Sequence, residues 1–256
     1  RGDNLIYSVA AHWSYPMVIQ IFDMNNDTVT TIPFTNAPTE MREFTYDYDS
    51  ERIIGMRSGT ENVYSIPKNG GAWALSGNGG SDNGHYGGRS FWNSNNNSIG
   101  FFGGYGGYAV RNGIWENSGG GWSNPYPNNN TCDPARRTGH QLILGDPNQN
   151  EVFIFSGQGS CTGSQFESSC SISEPWATDV GTWCWLKDLY QLDLDNYNFT
   201  NILPVNEFTV QNFGTITYDY TESTFYFIGG FVPPAIYDGQ FSNNTYFVPQ
   251  LYKFQA

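Results

Sequence analysis

Three histidines, His12, His85 and His140, and four cysteines, Cys132, Cys161, Cys170 and Cys184, are the side chains best suited to metal binding or nucleophilic chemistry. Imidazoles serve as proton carriers or metal ligands, and thiolates as nucleophiles, zinc ligands or cross-links. His12 lies in AAHWSYP and His85 in DNGHYGG, both at loop starts, and nothing in their spacing requires a metal. No metal site is expected from them. No Cys-x-x-Cys pair is present and the histidines lie elsewhere, so zinc is disfavoured for the thiols. An even set, three of them in one Gly/Ser-rich stretch, reads instead as two disulfides whose pairing the spacing leaves open.

Carboxylates come next. Paired acids carry out glycoside hydrolysis, and Asp47, Asp49 and Asp219 are the candidates. Each lies in a polar turn, YDYDSE or YDYTES, between apolar runs, where Asp commonly holds the turn together. A structural role is expected, and no catalytic residue is assigned. The oxygen-rich loop Asp193–Asp195 is the one place where Ca²⁺ is considered; otherwise no cofactor is expected. Gly-x-Ser-x-Gly, His-Glu-x-x-His, Walker and dinucleotide signatures are absent. Gly103-Gly104-Tyr105-Gly106-Gly107 has the glycines of a phosphate loop, but neither the following Lys-Ser/Thr nor a helical pattern.

Aromatic side chains in polar surroundings remain. Trp13, Tyr15, Trp92, Trp176, Trp183 and Trp185 lie outside or at the edges of the apolar runs. Exposed rings stack on sugar faces or anchor protein interfaces, so these six are the candidate binding residues.

The formal net charge of −13 argues against nucleic acid and against anionic membranes as partners. No run of apolar residues is long enough to span a bilayer. Sequons begin at Asn26, Asn96, Asn129, Asn198 and Asn243, each in a turn-like stretch suited to a glycan. The chain opens Arg1-Gly2-Asp3 rather than with Met, which suggests that an N-terminal segment has been removed or left out. With the cysteines, these features point to a secreted or cell-surface glycoprotein.

Whatever these residues do, strands must position them. Aromatics make up 17% of the chain and charged residues only 14%, alongside 30 glycines, a composition that favours strands and turns over helices. Five apolar runs end in small residues: Leu5–Ala11, Arg52–Gly59, Ile99–Gly104, Val152–Gly157 and Phe225–Gly230. The last four are each preceded by a strand entering a polar turn: FTYDYDSE (44–51), GRSFWNSNNNS (88–98), GHQLILGDPNQN (139–150) and ITYDYTES (216–223). Val18–Pro33 aligns without gaps on Asp188–Leu203 as a hairpin, and Asn62–Gly77 has the same outline. A four-stranded unit repeated about five times along one all-β chain predicts a β-propeller. The expected blades cover roughly residues 1–36, 37–80, 81–130, 131–206 and 207–256 of a single domain.

The repeats resemble those of kelch proteins and of the central domain of galactose oxidase. Gly103-Gly104 and Gly229-Gly230 look like the kelch double glycine, Tyr64 and Trp73 like its spaced Tyr and Trp, and Arg137-Thr138-Gly139-His140 like its Arg-x-Gly-His opening. Tyr190 and Phe199 keep the same spacing. The resemblance implies that glycines let strands approach closely, that the aromatics fill the space between blades, and that His140 is structural. Copper oxidases on this fold need a Cys-modified tyrosine, for which the four cysteines are not free, so an oxidase is not expected. Blade one is expected to lack its first strand, blade five its fourth, and blade four to carry an insertion, roughly Gln158 to Lys187, with Cys161, Cys170 and Cys184. The function expected is an extracellular interaction or assembly module, its partners other protein chains or itself. The alternatives are a lectin and, less favoured, a carbohydrate-active enzyme.

Overall fold

The structure is a computed structural model that describes residues 5–12, 15–80, 87–106, 109–127, 134, 136–146, 149–160, 183–186, 188–202, 215–228, 231–232, 246–247 and 251–255. Every regular element among them is a β-strand. No helix among the described residues is long and apolar enough to cross a membrane. The strands build antiparallel meanders in chain order. The first sheet is Leu5–His12, Tyr15–Asp23 and Thr28–Thr31, and the second is Met41–Asp47, Arg52–Arg57, Val63–Pro67 and Ala74–Gly77. The third is Arg89–Asn93, Ser98–Phe102, Ile114–Asn117 and Trp122–Tyr126. The fourth is Gln141–Leu144, Glu151–Phe155, Leu189–Asp193 and Asn198–Asn201, and the fifth Thr215–Asp219, Thr224–Ile228 and Leu251–Gln255.

The architecture is β-propeller-like, with a correction to the blade count. Four blades are present rather than five. Among the described residues the second, third and fourth sheets have four strands each and the first and last meanders three each. The described residues of all five apolar runs lie mainly on strands. The chain divides into two compact units. One comprises Arg1–Gly84, Ser90–Gly100 and Glu116–Ser123, the other His85–Arg89, Phe101–Trp115 and Asn124–Ala256.

One turn recurs throughout. Asp23, Asp47, Asn93, Asp146, Asp193 and Asp219 each open a turn whose residue four positions on is left-handed. Asp27, Glu51, Asn97, Asn150, Tyr197 and Ser223 occupy that position with φ from 47° to 58°. The opening side chain supplies the missing acceptor. Asp23 Oδ1 accepts the Asn25 N–H at 2.8 Å, Asp47 Oδ1 those of Asp49 and Ser50 at 2.9 and 3.1 Å, and Asp193 Oδ1 that of Asp195 at 2.8 Å. Asn93 and Asp219 do the same for Asn96 and Thr221. Such side-chain acceptance is why Asx residues start turns. The turn joins the first and second strands of the second to fifth sheets, the third and fourth strands of the fourth, and the second and third described strands of the first.

Aromatic and branched residues fill the space between neighbouring sheets. Ile19, Ile32, Met41, Ile53, Ile66 and Trp73 form the core between the first and second, where Tyr7 stacks on Tyr46 with ring centroids 5.4 Å apart. Trp73 and Phe199 occupy the inter-sheet positions that the repeat assigns to them, Phe199 lying 5.6 Å from Phe102 and 5.1 Å from Tyr126. Edge-to-face pairs Phe153–Phe225 and Phe155–Phe227 join the fourth and fifth sheets at 4.8 and 4.9 Å. Such pairs add roughly 1 kcal/mol each beyond the area they bury. Gly100 shows why these runs contain glycine: a Cβ there would lie 2.1 Å from the buried ring of Phe91.

Candidate functional site

The second-to-third connections of the third, fourth and fifth sheets all belong to one compact unit, and each holds a short ribbon. The ribbons are Tyr105–Gly106 with Ala109–Val110, Gln158–Ser160 with Trp183–Trp185, and Phe231–Val232 with Tyr246–Phe247. Elaboration is therefore shared by three successive sheets, where the sequence pointed only to the fourth. Connections of this kind, carried on a rigid scaffold, are where propellers and other β-folds place recognition.

Arg137 organises the roots of two of these connections. Its backbone is tied to the third sheet's connection: its N–H donates to Arg111 O at 2.9 Å and its carbonyl accepts from Gly104 N–H at 2.8 Å. Its side chain reaches the fourth sheet's connection and grips both ends of it. Nη1 donates to Ser156 O at 3.1 Å, just before the ribbon, and Nη1 and Nη2 donate to the two carboxylate oxygens of Asp188, just after it, at 2.5 and 2.7 Å. Tyr190 lies beneath the guanidinium, its centroid 5.5 Å from Cζ. The Arg137 side chain is 0% exposed and that of Asp188 13%. A bidentate guanidinium–carboxylate pair is among the strongest side-chain contacts available in such a setting. Ser156 Oγ donates to Leu186 O at 3.0 Å, and Leu186 N–H to Gly157 O at 2.9 Å, completing the root. Ser156 and Gly157 are left-handed, at φ 56° and 116°, and a Cβ on Gly157 would press on His140 and Thr138 O at 3.0 Å.

His140 is packed behind this clamp. It is fully buried, edge-on to Phe102 at 5.2 Å, and neither ring nitrogen has a hydrogen-bond partner. Burial, then the positive charges of Arg89 and Arg137, holds its pKa well below the usual 6.5. His140 is thus a neutral core residue, as the repeat resemblance implied. Serine, histidine and aspartate are all close by, but they form no nucleophilic relay. Asp188 is engaged by Arg137 and the Ser156 hydroxyl by a carbonyl, while the imidazole touches neither.

The candidate aromatics fare differently from one another. Trp92 is corrected from a binding residue to a core residue. It is 6% exposed among Ile54, Val63 and Ile99, and its indole N–H donates to Asp49 Oδ2 at 3.0 Å. That bond also gives Asp49 a structural role beside Asp47. Tyr15 begins the second strand of the first sheet, and Trp183 and Trp185 pair in register with Ser160 and Gln158 on the fourth sheet's ribbon. Trp13, Trp176, Cys132, Cys161, Cys170, Asn129 and Asn243 lie outside the described residues, and of Cys184 only the strand position is described. Asn26, Asn96 and Asn198 are exposed. Asp193, in the loop considered for Ca²⁺, accepts from Asp195 N–H and, through Oδ2, from Asn196 Nδ2 at 2.7 Å. Among the described residues no three His, Cys, Asp or Glu side chains gather as a metal cluster.

In the other unit, the two faces of the first sheet differ in exposure. Tyr7, Val9, Met17, Ile19 and Ile21 face the second sheet. The register places Ile6 opposite Phe22, Phe22 opposite Val29, and Ser8 opposite Gln20 on the other side. There Ile6 is 50%, Val29 60% and Val18 36% exposed.

No protein-family model matches the chain, and a search of curated proteins finds no match.

Proposed function

We propose that the chain is a secreted, glycosylated propeller with kelch-like repeats that serves as a protein-interaction and assembly module, and that its partner at the first sheet is a second copy of itself. The observation that carries this reading is the open face of the first sheet. Ile6, Val18, Phe22 and Val29, with Ser8, Gln20 and Thr31 between them, form a face without a charged side chain on a chain of net charge −13. Two copies repel one another across most of their surfaces, and this face lets them meet without opposing like charges. A face used by both copies makes an isologous contact, which closes as a two-fold dimer. The strand Leu5–His12 borders the same sheet, and an edge strand readily accepts a further strand from another chain. Strands spaced about 4.8 Å apart make a three-stranded face narrower than the ~800 Å² per partner of a standard stable interface, so association depends on concentration. The exposed sequons at Asn26, Asn96 and Asn198 support an extracellular setting.

Light scattering of the native glycoprotein over a hundredfold concentration range tests the reading. Dimerisation that Val29→Lys abolishes supports it. A monomer at every concentration, or a dimer indifferent to Val29→Lys and Ile6→Glu, overturns it.

A further inference from the structure

The root of the fourth sheet's connection contains a titratable group that no part of the assembly reading uses. We infer that His140 makes this root acid-labile: once the imidazole takes up a proton, the clamp that holds the two ends of the connection together opens locally while the sheets around it stay folded.

The geometry leaves a protonated His140 no way to be accommodated. Both ring nitrogens are buried without an acceptor, so a second N–H would gain no hydrogen bond. Among the described residues the charged groups acting on it are cations: Arg89 from the start of the third sheet and Arg137 from its own segment. The nearby carboxylate, Asp188, already gives both oxygens to Arg137. Among the described residues the ring also meets Phe102 and Gly103, neither of which titrates. Gly157 couples His140 to the root, because it lies against the Cα and Cβ of His140 on one side and accepts from Leu186 N–H on the other. A third positive charge beside Arg137 acts on the residue that grips Ser156 and Asp188. Relief therefore comes by parting Gly157 from Leu186 and letting water reach the ring.

The sign follows from the linkage between protons and opening. The closed state holds the imidazole neutral, and an opened state restores its usual pKa near 6.5. The open state thus binds more protons, and opening is favoured as pH falls below that value. Above it the clamp is unaffected. Below it the opening constant rises about tenfold per pH unit until the closed state itself protonates.

Amide hydrogen exchange on the intact chain, corrected for intrinsic rates and compared at pH 7.5 and 5.0, reads this directly. The reporters are Gln158–Ser160 and Trp183–Trp185, with the strand Arg52–Arg57 of the other unit as internal reference. Expected is a loss of protection at the root up to about thirtyfold greater than at the reference, absent in His140→Gln and His140→Phe. An equal loss at both places, no loss at all, or the same loss in the variants overturns the inference. Should both variants fail to fold, the ring signals of wild-type His140 decide. A midpoint well below 6.5, together with selective loss at the root, sustains the inference; a midpoint at or above 6.5 overturns it.

Discussion

Cutting the Arg137–Asp188 pair from each side in turn should give unequal costs. Removing one partner of a buried ion pair typically costs about 3–5 kcal/mol, most of it the penalty of leaving the other charge desolvated. The two partners differ in how far they are from water. Asp188→Leu strands a guanidinium that is 0% exposed and has lost its carboxylate partner, so its cost should lie near the upper end, about 5 kcal/mol. Arg137→Met strands a carboxylate that is 13% exposed and can turn toward solvent, and its long apolar replacement keeps part of the packing on Tyr190, so about 3 kcal/mol is expected. The double variant should cost clearly less than the sum, because neither charge is then left alone. Urea unfolding at low temperature, with the slope checked for constancy, measures all three, the single variants giving midpoint shifts of the order of 1 M or more. If Asp188→Leu proves milder than Arg137→Met, or if both cost under about 1 kcal/mol, burial does not set the worth of this pair and the reasoning fails.

Other expectations follow from contacts already described. Trp92→Phe loses the indole bond to Asp49 and some core volume, and should cost about 2 kcal/mol in urea unfolding; a cost under about 0.5 would mean that the ring is not the core element its burial indicates. Gly100→Ala places a methyl group against the buried Phe91 ring and should cost about 2–3 kcal/mol by thermal or urea unfolding, whereas a neutral result would show that the third sheet gives way freely. Asp219 should titrate below the usual 3.8 in carbon-detected NMR, chiefly because the Thr221 hydroxyl donates to it at 2.6 Å, and Thr221→Val should return it toward that value. Since that pKa is lowered, the stability the carboxylate contributes is present above 3.8 and lost as pH falls through the folded value; a midpoint above 3.8 would contradict the turn geometry.

The fold was legible because its information is local. Runs such as Val152–Gly157 and turns such as Asp47–Glu51 carry strand and reversal within a few residues, and repetition multiplies a weak signal. Even the left-handed position four residues past each Asp or Asn has a trace in sequence, as Asp, Glu, Asn, Tyr or Ser, but that set is too mixed to recognise without φ angles. The blade count was less legible, because a three-stranded and a four-stranded meander share the same central phrases. Trp92 misled because NSNNNS follows it directly, and the burial that decides its role comes from Ile54 and Val63 on another sheet. The clamp was invisible for the same reason: Arg137 and Asp188 stand 51 residues apart, and only folding brings Ser156 between them. His140 was legible as structural, yet its lack of any acceptor depends on neighbours that no motif names.

The double attachment of Arg137 also has a mechanical consequence. Its main chain is bonded to Gly104 and Arg111, and its guanidinium to Ser156 and Asp188, so one residue bridges two connections that are otherwise separate strands of the chain. A tug on the fourth sheet's ribbon passes through two charge-assisted bonds into that residue, and from there along backbone hydrogen bonds into the third sheet. The load is divided before either ribbon peels from its root, as two ropes made fast to one cleat share a strain. A propeller pulled from that end in a single-molecule experiment should yield with both ribbons together, and with Arg137→Met it should yield one ribbon at a time.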